Sequence, residues 1–305
     1  MLIFAAKRGL MAVLVALTVS VICFMLVQLS TDIATAMAGE GARAEDIELI
    51  RKQYGFDRPL VVQYLDWLGR ALTGDFGDSF YFRTPVSGIV WERMPTTLTL
   101  GALGLSFALA LSIPLGVLAA IRPNSWIDRL TLTIAVIGQA MPVFWFALLL
   151  ILLFGLTLRW LPISGSETWA HFVMPAIALS YYATPAIMRL TRAGMLEVLQ
   201  ADYIRTARAK GLRAGRVLFK HALRNAIIPV VALSAVQLGF MLGGSVIIET
   251  VFALHGLGYL AYESITHNDF PVVQAIVLLI ALIYIVLTLI ADLLNAWLDP
   301  RIRVG

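Results

Sequence analysis

The chain has 305 residues, 60% of them hydrophobic and only 14% charged, with a formal net charge of +4 and a mean hydropathy of +0.85. A soluble domain carries about a quarter charged residues, so this balance excludes an ordinary water-soluble globule and points to a membrane protein. Cys23 is the only cysteine, which excludes internal disulfides and cysteine-based metal clusters.

Six stretches lack Asp, Glu, Lys and Arg: 9–31, 94–121, 130–158, 170–188, 225–248 and 271–291. Each approaches the ~20 residues that an α-helix needs to cross ~30 Å of hydrocarbon. Helices satisfy their own backbone where lipid cannot. The pattern predicts an all-α integral membrane protein with six transmembrane helices. The first run follows Lys7-Arg8 and precedes small residues at 36–38, as a signal peptide would. It is longer than the ~7–15 residues of a cleavable core, so it is expected to stay as the first helix.

Residues 32–93 form the one segment long enough to fold in water, and a structured outer loop is expected there. Glu45 and Asp46 precede Arg51 and Lys52, the charge order that suits a helix over 45–53. A second short helix is expected over 64–72, ended at Thr73-Gly74, with a turn at 75–80 that turns aromatics toward the interface. The chain therefore divides into 1–93, first helix plus outer cap, and 94–305, the transmembrane core.

Within the spans, Pro114 with Gly116, and Gly138 with Pro142, mark places where helices can bend. The fourth run carries His171, Pro175 and Pro185 and is the weakest of the six. Gly239 and Gly243, four apart, allow close helix approach. Gln139, Gln237 and Ser245 are polar within apolar runs and are candidates for lining a passage.

The segment 202–225, between the fourth and fifth runs, carries seven cations (Arg205, Arg208, Lys210, Arg213, Arg216, Lys220, Arg224) against one acid, Asp202. With the N-terminus inside and six crossings, short inner segments hold 15 Lys/Arg and short outer segments one, Arg159. Both termini and the 202–225 loop are thus expected on the cytoplasmic side.

No phosphate-cradling Gly-x-x-x-x-Gly-Lys-Ser/Thr loop and no HExxH occur. The four histidines fall on two sides of the membrane, and His255, Glu263 and His267 share an outer loop that reads as hydrated, so no metal or cofactor is expected. No run holds an acid or lysine near its centre, where proton-coupled transporters place one. Three classes stay open: a transport subunit driven by a partner, a self-sufficient carrier or channel, and, least supported, a membrane enzyme.

The segment 201–212, followed by Val217, 221–226 and 229–231, resembles the cytoplasmic signature of ABC-importer permeases. The oligopeptide/dipeptide/nickel type, and its first-permease partner, is the most similar subfamily. The general signature has Glu-Ala-Ala, three variable residues and Gly; here Arg205-Thr-Ala207 and Gly211 occupy those places, a departure that the peptide subfamily shares. The resemblance extends through Gln63-Tyr64, 74–80, 95–98, 160–162, 174–179, 189–198, 244–252, Gly256-Leu-Gly258, 292–295 and 298–302. Two positions depart from many relatives: 31–33 lacks their Gly-Asp-Pro, and His255 stands where they have Pro. Both lie on the outer face and bear on the substrate more than on the family.

The resemblance implies a permease subunit of an ATP-driven importer in the bacterial inner membrane, for di- or oligopeptides or, by the same mechanism, nickel, glutathione, an opine or a sugar. It is not an enzyme; ATP hydrolysis would lie in two separate ATPase subunits. The other implied partners are a second homologous permease and an extracytoplasmic solute-binding protein, in membrane lipid and without nucleic acid. Within a coupling loop at about 195–225, the ATPase-coupling residues would be Asp202, Tyr203, Ile204, Arg205, Ala207, Arg208, Lys210 and Gly211. Residues 202–210 would form a coupling helix turned at Gly211, with Tyr203, Ile204 and Ala207 entering a groove on the ATPase. Val217, Leu218, Ala222 and Leu223 would tie the following helix to the bundle.

Overall fold

The computed structural model describes residues 2–30, 33–38 and 41–298. The motif stretches 31–33 and 298–302 therefore fall partly outside the described residues, and Arg301 and Arg303 wholly so. Among the described residues every regular element is helical. In chain order these are α1 (Leu2–Ser30), α2 (Ile33–Ala38), α3 (Ala44–Gln53), α4 (Leu60–Leu72), α5 (Val86–Ile121), α6 (Trp126–Ala140) and α7 (Val143–Leu150). A π-helix (Ile151–Thr157) extends α7, and α8 (Ala170–Leu199), α9 (Asp202–Ala209) and α10 (Ala214–Arg216) follow. A second π-helix (Val217–Leu223), α11 (Arg224–Ala226), α12 (Ile228–Val251), α13 (Leu257–Thr266) and α14 (Phe270–Leu298) complete the chain.

Among the described residues, four helices are long and apolar enough to cross a membrane: α1, α5, α12 and α14. The third expected span is broken: α6 and the α7 unit form one apolar pair bent by 105°. Pro142 is the cause. It has no N–H to donate and it pushes Met141 out of the helical region, to φ −88, ψ 136. Pro95 and Pro114, by contrast, lie inside α5 without ending it. The fourth expected span, α8, is long at 30 residues but is not among the strongly apolar helices. It packs on α5, α6, α7 and α12. A helix ringed by protein does not need a lipid-compatible surface all round.

α5 and α8 make the central pair. Around them one core gathers Leu100, Ala108, Leu179, Ile187, Met241 and Ile248. At one end, Val86, Val90 and Met94 of α5 pack with Leu257 and Leu260 of α13 and Val272 of α14. The helix of the second span thus begins eight residues before the apolar run, and its first turns belong to the cap end. There α4 lays Trp67 on Phe24 of α1 and Leu278 of α14, while the Ser20 hydroxyl pairs with the Tyr64 hydroxyl at 2.8 Å. The turn at 75–80 is held to the start of α14: Asp269, fully buried, accepts from the Ser79 hydroxyl and from the Phe80 N–H. Arg8 and Asp292, at the opposite ends of α1 and α14, pair at 3.0 Å.

Candidate functional site

At the far end from the cap, α8 runs into α9 through Gln200 and Ala201. The eight residues of α9 alternate in the helical sense: Ile204 and Ala207 face inward, and Asp202, Tyr203, Arg205, Thr206 and Arg208 face out. The inward pair joins Val117 and Ala120 of α5, Met195 of α8, Val217, Ala222 and Ala226 in one buried cluster. Asp202 in the first turn and Arg208 in the last complement the helix dipole.

Gly211 ends α9 in a left-handed turn, φ +73. Its N–H donates to the Arg208 carbonyl at 2.9 Å and the Leu212 N–H to the Ala207 carbonyl at 3.3 Å, the paired bonds of a Schellman cap. Leu212 then packs against the cluster that holds Ile204, so the cap closes with an apolar contact as well.

The expectation for α9 is thus corrected in part. Ile204 (0% exposed) and Ala207 are taken up by the chain's own core and are not free to enter a partner's groove. Tyr203, 44% exposed, remains on the outer side, its hydroxyl accepting from the Asn225 amide at 2.9 Å. All seven cations of 202–225 are exposed, and Arg205 pairs with Asp202 at 3.2 Å. Val217 and Ala222 are core residues, with Leu218 and Leu223 packed against them, so the following segment is tied to the bundle as expected.

Two contacts fix this end rigidly. A Cβ at Gly194 would stand 2.9 Å from the Ala226 carbonyl, and one at Gly116 2.8 Å from the Met188 carbonyl. α8 therefore meets both α5 and the lead-in to α12 at backbone distance. In addition, Asp128 at the start of α6 takes a bidentate contact from Arg192 of α8 at 2.6 and 2.7 Å, and accepts from the Asn124 N–H at 2.9 Å. Counting Lys and Arg takes in Arg192 but passes over Asp128; the start signature Ser125-x-x-Asp128, with the Asp128 N–H on the Ser125 hydroxyl, is the signal that locates the acid.

The three passage candidates separate. Gln139 is exposed at the end of α6 and its amide oxygen accepts from Arg189 at 2.9 Å. Gln237 is 7% exposed, packed within α12's inner face. Ser245 is fully buried, within 2.9 Å of both the Leu242 carbonyl and Glu249 Oε1. It belongs to a network that the sequence concealed. Glu249, the first charged residue after the fifth apolar run, lies in the last turn of α12 and is fully buried. It accepts from the Thr97 hydroxyl of α5 at 2.8 Å and from the Tyr259 N–H of α13 at 3.0 Å, and Thr97 accepts from the Leu257 N–H at 2.7 Å. The glycines of 256–258 serve this carboxylate: a Cβ at Gly256 would come within 2.4 Å of Glu249 Oε2.

This architecture defines a class of protein. Residues 112–304 match the family of binding-protein-dependent transport system inner membrane components, and residues 1–101 match its N-terminal region. The chain belongs to that family; it is an ABC-importer permease of the peptide-type subfamily and a transport subunit rather than an enzyme. It is 41% identical over 304 residues to the glutathione transport system permease protein GsiC of Escherichia coli strain K12, covering 99% of each chain. The same identity and coverage hold for GsiC of Salmonella typhimurium strain LT2. Among solved structures, the fold matches the inward-facing MetNI methionine ABC transporter with a TM-score of 0.58 at 20% identity, over 69% of this chain and 96% of that one.

Proposed function

We propose that this chain forms half of the pathway of an importer for short peptides, glutathione among them, and that α9 receives the stroke of an ATPase subunit. The complex in view has a second homologous permease, two ATPase subunits and an extracytoplasmic binding protein. The substrate reading rests on the likeness to GsiC over nearly the whole chain. In this reading α8 is a sixth crossing: its 30 residues span about 45 Å. Both termini and 202–225 then lie in the cytoplasm, and the cap faces outward.

The observation that carries the coupling is the two-sidedness of α9. Its inner face is locked into α5, α8 and the lead-in to α12, while Tyr203, Arg205, Arg208 and Lys210 stand outside it. A load applied to the outer side is passed to the bundle without a soft joint. Gln139, exposed beside Arg189, is the passage candidate that the geometry favours; Gln237 and Ser245 are packed inside the subunit.

The test uses the complete transporter in proteoliposomes. Tyr203→Ala with Arg208→Glu should leave membrane insertion and the thermal stability of the permease chain itself unchanged, while ATPase co-purification and ATP-driven uptake of labelled glutathione or a dipeptide fall at least tenfold. Full uptake by that variant refutes the docking role. Uptake by the chain alone without ATP would establish a carrier instead.

A further inference from the structure

A cleft of about 520 Å³ opens between the 202–225 segment and the first turn of α12. Tyr203, Lys220, Arg224 and Asn225 line it from the segment, and Ile228 and Val231 line it from α12. The π-helix sets this up. With more than four residues per turn, it carries Lys220 and Arg224 to one side, flanking His221 and Asn225. No carboxylate among the described residues lies within ion-pairing distance of Lys220 or Arg224, and none lines the cleft. Yet the same cleft runs onto Ile228 and Val231, at the foot of a helix apolar enough to span a membrane. Two uncompensated cations at one end and branched aliphatics at the other are complementary to an anionic amphiphile.

We infer that this cleft binds one anionic phospholipid, its phosphate held by Lys220 and Arg224 and the start of an acyl chain lying along Ile228 and Val231. The inference depends on the inner-face orientation proposed above. Three features set it apart from the general attraction of a basic loop to a membrane. Tyr203, Lys220, Arg224 and Asn225 converge on the cleft from the segment side; the Tyr203 hydroxyl and Asn225 amide, paired at 2.9 Å, give it a polar wall; and its apolar end is part of α12 itself. A lipid seated there touches both α9, through Tyr203, and α12, so the composition of the inner leaflet would tune how the coupling segment is held. Arg213 and Arg216, also exposed, do not line the cleft and serve as the internal control.

The complete transporter is purified in mild detergent and retained phosphatidylglycerol is measured by native mass spectrometry. Uptake is then measured in vesicles of phosphatidylcholine with and without phosphatidylglycerol. The wild type should retain one phosphatidylglycerol for this chain and gain several-fold in uptake from it. Lys220→Gln with Arg224→Gln should reduce retention about tenfold or more and abolish the gain, with the ATPase subunits still co-purifying; Val231→Gln should weaken retention without touching the cations. Arg213→Gln with Arg216→Gln, the same loss of charge, should behave as wild type.

Equal retention by the cleft and control variants overturns the inference. So does equal stimulation by inorganic phosphate, which would make the cleft an anion site alone, and so does loss of the ATPase subunits from the cleft variant, which would give these cations to the docking surface. Gly215→Cys in a Cys23→Ser background, labelled from one side of the membrane, reports orientation separately, so a failed lipid site and a failed topology are told apart.

Discussion

Gly211 offers the sharpest test of how α9 is held. A Cβ added there would meet no heavy atom within 4 Å, so a substitution clashes with nothing; all of its cost lies in φ +73. Forcing an ordinary L-residue into that region costs about 1–2 kcal/mol, with a β-branched residue at the upper end and Asn nearly exempt. Against this stands the burial of Ile204, which stabilises the docked helix by about 1.5–3 kcal/mol. The strain in Gly211→Val is thus comparable to the anchor, and about 2 kcal/mol shifts the docked population roughly 30-fold. The series Asn, Ala, Val should therefore show near-normal, reduced and nearly abolished coupling, read as solute imported per ATP hydrolysed in proteoliposomes, with insertion and thermal stability of the complex little changed. A Val variant coupling like wild type, or an Asn variant as poor as Val, refutes the argument that the left-handed cap holds the helix in place.

Asp128→Asn removes one side of a pair in which the Asp128 side chain is 3% and the Arg192 side chain 23% exposed. The expected loss is about 2 kcal/mol, below the ~3–5 kcal/mol of a fully enclosed pair because Arg192 keeps contact with its surroundings. It is read as a lowered Tm in detergent, and replacing both residues by Leu should recover most of it. Gly256→Ala, unlike Gly211→Ala, is limited by contact: its Cβ would fall 2.4 Å from Glu249 Oε2 and 2.6 Å from Thr97 Oγ1. It should lower Tm as much as Thr97→Val, which removes one donor from Glu249 and strands the Leu257 N–H, at about 1–3 kcal/mol. A Gly256→Ala protein as stable as wild type would show that the network does not pin α13.

The readable parts of this chain are those that one local rule decides. Hydrocarbon thickness sets the length of the apolar runs inside α1, α5, α12 and α14, and Pro142 sets the break after α6. Charge order and the Thr73-Gly74 stop place α3 and α4 within a few residues. The left-handed turn at Gly211 was legible because few other residues tolerate it. α8 was the weakest run because its neighbours, not lipid, receive its side chains. Glu249 was illegible for a different reason: an acid at the end of an apolar run looks like the start of a loop, and the hydroxyl that receives it, Thr97, is 152 positions away. Ser245 reads as a passage candidate because it is polar within an apolar run; its partner Glu249, four residues on, lies just outside that run. For α9 the amphipathic pattern was visible, but pattern alone does not say whether the apolar side meets a partner or the chain's own core.

That last ambiguity matters for how force travels. A helix whose apolar side enters a partner's groove moves with the partner and pulls the bundle by its ends. A helix whose apolar side is already spent on the bundle is part of the bundle, and the partner pushes a fixed ledge. With Ile204 and Ala207 in the chain's own core, α9 is built as the second kind would be under the proposed coupling, and its connection extends far. Its inner face rests on Val117 and Ala120 of α5, a 36-residue helix about 54 Å long that runs through two prolines without breaking. Near the other end of α5, Thr97 holds Glu249 of α12 and the first N–H of α13, and Val86, Val90 and Met94 pack beneath α13 and α14. One continuous helix therefore joins α9, the proposed coupling ledge, to the elements under the cap. Gly116, at backbone distance from α8, ties the central helix into the same unit. Movement at the ledge without movement at α13 would require α5 to bend, and the backbone-close contact at Gly116 and the buried network at Thr97 both oppose it.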